Sequence, residues 1–391
     1  MDTNWELHIR TYSRDGVLKN AWINPIVSRH TNSLGMDEPL VFTLAAQTYA
    51  DYVAIVEYDI AEVMVRNKFL GIQTASGGFV RDFVGIVRGD VEVEATGDGT
   101  IWYTWHCPEA KHVLSWRSVA WFSGVANRSE FTTQPAETVA KTLVQYNATG
   151  DASTGNGRLR DGDLAAGMTA PITIEADGGL GNSISLTFFG GNLLSSLDNS
   201  CAIGGDYYRI EWQGGSLGGA HGYNMTWGRG SDKRSGADAV VLSLENRTLL
   251  DPRRMSSAAR ATVAVSMGQG EATDREFSIV NGEQFAVDND IERFVDARSY
   301  STAAGRIGKG LSELDEVKQE SDLRFNVLTT SDVFYSPVPV TGRKAYTVGD
   351  RILVNFGGVS ARRIIRATVQ WADRGESDPF SINILTEAWD E

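Results

Sequence analysis

The segment "LSWRSVAWFSGVANRSEF" (Leu114–Phe131) decides how the chain divides into structural units. Two tryptophans and a phenylalanine surround one arginine there: Trp116, Arg117, Trp121 and Phe122. Such a cluster is typical of a ligand site, since aromatic rings bind cations, or of a packed junction, where Trp and Arg are enriched. Large aromatic side chains contribute most when they are buried, so we favour a junction between two units.

A helix is predicted directly after this segment. Pro135 occupies a first helical position, Thr133 precedes it and Glu137 lies in the first turn, so the helix should cover Pro135–Tyr146. Strands are predicted at 172–175, 183–189 and 207–212, with a short helix inside "GNLLSSLDNSCAIGG" (191–205). The region after the aromatic cluster is therefore expected to be α+β.

The residues before the cluster indicate antiparallel strands. "VEVEATGDGTIWYTWH" (91–106) alternates apolar and acidic residues, turns at 97–99 and returns, which predicts a hairpin. We expect residues 1–113 to be mostly strand, with one short helical piece near Ile60–Val65.

The last third begins with a second helical pattern. Ile307, Leu311, Leu314 and Val317 recur at spacings of 4, 3 and 3, which predicts an amphipathic helix that buries them. Strands then return, with turns at 348–350 and 357–358. The chain is expected to divide into a β-rich unit (1–113), an α+β unit (114–250), a β/helical connecting unit (251–333) and a second β-rich unit (334–391).

Charge and composition disfavour several classes of protein. The 391 residues include 36 Lys+Arg and 50 Asp+Glu, a net charge of −14, which repels nucleic acid and anionic membranes. No stretch approaches the about 18 apolar residues of a membrane span, and the first ten residues lack a secretory signal. Two distant cysteines make no disulfide framework and fit synthesis in a reducing cytosol.

Catalytic and metal-binding patterns are weak. Neither cysteine lies in a catalytic motif, although triads are set by geometry and not by sequence order. His106, Cys107 and His112 match no common zinc spacing, so a strand-end histidine and a buried cysteine are favoured. Arg362, Arg363 and Arg366 are interpreted as one charged, exposed face of a strand. No cofactor or metal is expected.

The order of motifs resembles a tail-hub family of long-tailed bacteriophages. The first half of the resemblance is "FVGIVRGD", then "KHVLSWRSVAWFSGVANRSEF", then "PAETVAKTLVQYN". The second half is "MGQGEATDREFSIV", then "IERFVDARS", the glycine-interrupted helix and "YTVGDRILVNF". The likeness covers most of the chain, and its motifs are structural and not catalytic.

The resemblance implies a β-rich α+β fold similar to the hubs of contractile-tailed phages and type VI secretion spikes, with two β-barrel domains joined by α+β domains. It implies a homotrimeric ring at the tail tip or baseplate of the virion, made in the host cytoplasm, through which DNA passes. Implied partners are a distal tail or tail-tube protein, the tape-measure protein, and tip or fibre proteins. Specific nucleic-acid binding, membrane insertion and enzymatic activity are not expected.

Two other functions stay open from the sequence. A carbohydrate-binding β-protein would explain 10 Trp and 12 Tyr beside glycine-rich loops such as 213–222. A cell-wall hydrolase of the tail tip would need a base such as His106 or His221.

Overall fold

The computed structural model is β-rich. It describes residues 5–388 except 24, 36–37, 46–54, 89–90, 96, 98, 120–128, 150–171, 189, 219–221, 229, 272–273, 283–284, 286–289, 299, 301, 316, 319, 328–332, 341–342 and 373–379. None of the helices in these ranges is long and apolar enough to cross a membrane.

The strands in chain order are β1 (Trp5–Tyr12), β2 (Leu18–Ile23), β3 (Val27–Ser33), β4 (Glu38–Ala45), β5 (Ile60–Asn67), β6 (Val80–Ile86), β7 (Glu92–Ala95), β8 (Ile101–Cys107), β9 (Ser129–Pro135), β10 (Ile172–Ile174), β11 (Ser183–Phe188), β12 (Tyr208–Trp212), β13 (Tyr223–Trp227), β14 (Val241–Ser243), β15 (Leu250–Ser257), β16 (Val263–Met267), β17 (Phe277–Asn281), β18 (Glu292–Asp296), β19 (Glu320–Asn326), β20 (Val333–Tyr335), β21 (Lys344–Tyr346), β22 (Arg351–Asn355), β23 (Val359–Ala372) and β24 (Phe380–Ala388). The α-helices are α1 (Ala136–Ala148), α2 (Leu193–Gly204) and α3 (Ala303–Asp315), and 3-10 helices cover Ala110–Trp116 and Gly215–Leu217.

The chain begins with a four-stranded antiparallel sheet in the order β2-β1-β5-β6. The helical piece predicted near Ile60–Val65 is wrong, because these residues belong to β5. All six are buried, and a strand covered on both faces is as continuously apolar as a buried helix. The predicted hairpin is confirmed as β7 and β8, in which Val93 lies opposite Tyr103.

A ten-stranded sheet contains strands from both ends of the chain. Its main path runs β15-β19-β24-β23-β3-β4-β8-β7, and β22 joins β14 to β23. β23 is antiparallel to β3, with Val369 opposite His30 and Trp371 opposite Ser28. The first and last predicted units are therefore joined by direct strand pairing, and the predicted division into four units stays a prediction.

The main hydrophobic core follows this sheet. It combines residues from the start of the chain, such as Leu7 and Phe42, with residues from its end, such as Phe325 and Ile384. Each of these four side chains is at most 1% exposed. The two ends of the sequence thus share one core.

The middle of the chain is α+β, as predicted. Helix α1 starts after Pro135 and continues two residues beyond the predicted Tyr146. The strands predicted at 172–175, 183–189 and 207–212 are confirmed as β10, β11 and β12, and the short helix as α2. The Asn192 side chain caps α2 by accepting a hydrogen bond from the Ser195 backbone N–H at 3.2 Å.

Helix α3 packs differently from its prediction. Leu314 and Val317 are buried, but Ile307 and Leu311 are 41% and 42% exposed, so the predicted apolar face is wrong in part. The helix instead turns a small-residue face to its neighbours. A Cβ on Gly308 would lie 2.9 Å from the Ser185 carbonyl oxygen, and one on Gly310 would lie 2.6 Å from Ser266 Oγ. Close approach of the backbone replaces the burial of large side chains here.

Candidate functional site

The Trp116 side chain belongs to a surface cluster that we call the aromatic platform: Tyr58, Arg88, His112 and Trp116. The Trp116 ring meets the rings of Tyr58 and His112 edge-on, with centroids 5.8 and 6.0 Å apart. The Arg88 guanidinium lies 4.9 Å from the Tyr58 ring centroid and 5.2 Å from that of Trp116. Burial and the nearby Arg88 charge lower the pKa of His112. The platform stacks a cation on exposed rings at the surface.

The structure describes two of the four residues predicted to form a junction, Trp116 and Arg117. Trp116 is 41% exposed, so the expectation that it is mostly buried is wrong. The 3-10 helix turns Val113 and Leu114 inward and leaves its last residue, Trp116, at the surface. The Arg117 carbonyl accepts a hydrogen bond from the Leu193 backbone N–H at 2.9 Å, which ties this segment to the start of α2.

Trp121 and Phe122 lie outside the described residues. The junction role of the four residues stays a prediction.

A buried ion pair connects the first sheet to the middle of the chain. Glu62 on β5 is 0% exposed, and its Oε1 accepts a hydrogen bond from Arg81 Nε on β6 at 2.6 Å. Tyr12 OH donates to Glu62 Oε2 at 3.0 Å, and Ser216 Oγ donates to Oε1 at 2.6 Å. The carboxylate is thus satisfied from three elements, as a buried charge requires.

The same arginine holds the loop after β12. Arg81 Nη1 donates to the Trp212 carbonyl at 2.5 Å, and Nη2 donates to the Gly214 carbonyl at 2.6 Å. Trp212 is fully buried and packs on Tyr12, with ring centroids 5.1 Å apart. A Cβ on Gly215 would lie 2.5 Å from the Trp212 ring, so only glycine fits this approach. We call Tyr12, Glu62, Arg81, Trp212 and Ser216 the seam.

The seam was not predicted from the sequence. A helical piece was predicted near Ile60–Val65, and residues 213–222 were considered only as a glycine-rich loop. One available signal was Glu62, a single carboxylate within the apolar run "IAEVMV". A charge in such a run is expected to have a buried partner, but the sequence does not say which basic residue that is.

A cleft of about 640 Å³ adjoins the seam. Residues of β6, β12 and β13 line it together with residues from the last part of the chain, including Phe79, Arg81, Arg209, Trp212, Trp227, Tyr335 and Val348.

A polar network forms part of the wall of the cleft. His30 Nε2 lies 2.9 Å from Asp82 Oδ2, and Asn32 Nδ2 donates to Asp82 Oδ1 at 3.3 Å and to Tyr335 OH at 3.1 Å. His30 is 1% exposed, whereas Asp82, Asn32 and Tyr335 line the cleft. The network links β3 and β6 to β20.

The candidate metal ligands lie in three environments. His106 is within 3.2 Å of Glu92, the Cys107 thiol is fully buried in the main core, and His112 belongs to the aromatic platform. No group of three His, Cys, Asp or Glu side chains suited to a metal occurs within the described ranges. Burial raises the pKa of both Cys107 and Cys201 above the ordinary value, which keeps the thiols protonated. His221 lies outside the described residues.

The arginine cluster of β23 is not the exposed face that was predicted. Arg362 and Arg363 are only 2% and 4% exposed. The Arg363 guanidinium lies 3.4 Å from Asp206 Oδ1 and 5.1 Å from the Tyr207 ring centroid. The positive charge of Arg363 is therefore paired within the molecule, where β23 contacts the residues between α2 and β12.

No protein-family model and no curated protein sequence matches the chain. Solved structures with a similar fold do exist. One is the tail protein from Neisseria meningitidis MC58, with a TM-score of 0.54 and 10% identity over 98% of this chain and 97% of that one. Two others are the Francisella PdpA–VgrG complex in its lidded form (TM-score 0.52) and its half-lidded form (0.51). Both are 8% identical and cover 98% of this chain but 53% and 58% of theirs.

These likenesses concern the fold. The chain shares its architecture with the Neisseria tail protein over nearly the whole length of both, and it spans little more than half of the matched Francisella chains. The predicted β-rich fold is confirmed, and it is similar to that of a tail protein and of chains in a VgrG-containing complex. The two closed barrels stay a prediction.

Proposed function

We propose that the chain is a structural tail-hub protein of a phage virion, three copies of which form a ring between the tail tube and the tail tip. The observation that carries this proposal is the shared fold with a tail protein across 98% of this chain and 97% of the other. A match to both ends leaves little of either chain for a different architecture.

The sheet topology supports a ring with two β-units per chain. One unit contains β3, β4 and β8, the other contains β19, β23 and β24, and β3–β23 pairing places them side by side. We infer that both units are barrel-like. Three chains would then place six such units around one axis, which would match a six-fold tube above while retaining three-fold symmetry for a tip below.

The charge balance supports passage of DNA without binding. With 36 basic and 50 acidic residues, the chain has a net charge of −14, which repels the phosphates of DNA. We propose that the surplus acidic residues include a set that faces the channel. Tight binding of double-stranded DNA in a low-salt gel-shift experiment would contradict this.

We further propose that the hub is not an enzyme and acts through its contacts. Its partners would be a distal tail or tail-tube protein, the tape-measure protein, and tip or fibre proteins. It would be made in the host cytoplasm and end in the tail tip or baseplate. His30 and the thiols of Cys107 and Cys201 are buried, so these three groups are not accessible as a base or nucleophile.

Imaging of the assembled particle tests the proposal. Antibody labelling should place the chain where the tube meets the tip, and symmetry-resolved cryo-electron microscopy should give three copies about the tail axis. Six copies per ring, or one copy away from the axis, would overturn the hub assignment.

The exposed aromatic platform favours one alternative, a carbohydrate-binding β-protein. Trp116 exposes 41% of its surface beside Tyr58 and Arg88, an arrangement on which a sugar ring can stack. Binding of the purified chain to a glycan array, lost on Trp116→Ala but retained on Leu311→Ala, would support this function. Leu311 is a matched control, because its side chain is also 42% exposed.

A further inference from the structure

The ten-stranded sheet ends in two exposed outer strands. In the part of the chain that the structure describes, β7 pairs only with β8, and β15 pairs only with β19. All four residues of β7 are exposed, as are residues 253–257 of β15. Outer strands present backbone N–H and C=O groups that can pair with a further strand. Each edge is therefore a possible contact with another chain.

The two outer strands carry opposite charge. β7 contains Glu92 and Glu94, and we call it the acidic edge. β15 contains Asp251, Arg253 and Arg254, and we call its residues after Pro252 the basic edge; on β19, Arg324 lies opposite Arg253 and Asp322 lies opposite Met255. The charged residues of β15 after Pro252 are all basic and those of β7 are all acidic, so these two strand segments are complementary in sign.

The charges also lie on corresponding faces of the sheet. Val93 pairs with the buried Tyr103, so Glu92 and Glu94 point to the face away from the core. Arg254 pairs with the buried Leu323, so Arg253 points away from the core as well. If the sheet continued from one chain into the next with the core faces aligned, the acidic side chains and Arg253 would share a face.

Two further features limit the pairing. Pro252 has no backbone N–H and restricts a new ladder to the residues after it, a length that fits the four residues of β7. Pairing of two acidic edges or of two basic edges would place like charges opposite each other, which is unfavourable. The edges therefore select a contact of β7 with β15.

We propose that copies of this chain associate head-to-tail, with the acidic edge of one copy paired to the basic edge of the next. The ten-stranded sheet then continues from chain to chain around the ring. This inference rests on the proposed function for the ring itself, since a head-to-tail contact closes only if the rotation between copies closes. It identifies which surfaces of the chain meet.

Cysteine cross-linking tests the contact. Val93→Cys and Ser256→Cys place thiols at the two edges on the core side of the sheet, and the natural Cys107 and Cys201 are buried with raised pKa values. With a short bismaleimide, the chain carrying both substitutions should form dimers and trimers. A mixture of the two single variants should form dimers only, and each single variant alone should stay monomeric. Cross-linking of a single variant to itself, or no cross-linking of the double variant at the highest attainable concentration, would overturn the proposal.

Charge reversal provides a second test. Glu92→Lys with Glu94→Lys, or Arg253→Glu with Arg254→Glu, should each lower the cross-linking yield at limiting concentration about tenfold, and the four substitutions together should restore it. Asp290→Lys with Glu292→Lys is a matched control, with the same spacing, exposure and change of charge at another site. An equal loss in this control, or no restoration by the combined variant, would overturn the edge pairing.

The two proposals fail in different ways. Tails that contain the chain in three-fold positions without a β7–β15 cross-link would overturn the edge pairing and leave the hub function standing. A chain that cross-links through its edges in solution but is absent from purified tails would overturn the hub function and leave the edge pairing.

Discussion

Replacing Arg81 by alanine tests how strongly the seam holds the first sheet to the middle of the chain. The substitution removes the countercharge of Glu62, whose side chain is 0% exposed, and two hydrogen bonds to the carbonyls of Trp212 and Gly214. Removing one partner of a buried pair typically costs about 3–5 kcal/mol, because the remaining charge stays buried without compensation. We expect a loss of this size in the free energy of unfolding.

Arg209→Ala is the matched control. Arg209 lines the same cleft, but its pair with Glu211 is 42% and 36% exposed, so solvent screens the pair. Its loss should cost less than about 1 kcal/mol. The double variant Arg81→Met with Glu62→Leu should lose less stability than Arg81→Ala, because no unpaired charge remains.

Urea unfolding followed by tryptophan fluorescence measures the free energies, and hydrogen exchange resolved by peptide locates the change. Arg81→Ala should accelerate exchange in β6 and β12. If Arg81→Ala and Arg209→Ala lowered the free energy of unfolding by the same amount, the seam would not hold these elements together and the reasoning would be refuted.

Three further outcomes are expected. Trp116→Ala should lower the free energy of unfolding by only about 1–2 kcal/mol, against about 3–5 for a fully buried ring, and a larger loss in urea unfolding would contradict its exposure. Gly310→Ala should cost about 1–3 kcal/mol, since a Cβ there would lie 2.6 Å from Ser266 Oγ, whereas the exposed Leu311→Ala should cost under about 1 kcal/mol. Burial alone raises the pKa of Glu137, but hydrogen bonds from Lys141 and the backbone lower it below 4.5. Its contribution should therefore be complete above pH 4.5 and be lost as the pH falls through the lowered value, and a Glu137→Gln variant with the same acid dependence of unfolding would contradict this.

The sequence predicted local elements better than their partners. The Pro135 helix start and the 91–106 hairpin depend on residues close together in the chain, and both are confirmed. Helix α3 was predicted in place, but its inward face was not, because Gly308 and Gly310 pack by close approach and carry no hydrophobic signal. Periodicity records large apolar side chains and misses small residues at a tight contact.

Contacts between residues far apart in the chain could not be predicted from the sequence. Glu62 and Arg81 are both visible in the sequence, but only the antiparallel pairing of β5 with β6 brings them together. The same limit applies to Arg362 and Arg363, whose polar character suggested exposure while the crossing of β23 buries them. Trp116 was expected to be buried because it is aromatic. It is exposed, since an aromatic residue at the end of a short helix can point outward.

The pairing of β3 with β23 can form only late in the synthesis of the chain. Thr31 and Thr368 are joined by a side-chain hydrogen bond although 337 residues separate them. At about 5–20 residues per second, the ribosome makes the second strand about 15–70 s after the first. Throughout that interval β3 can pair with β4 but not with β23, so one edge of β3 stays unpaired. The nascent chain must keep this strand away from neighbouring chains until its last residues emerge.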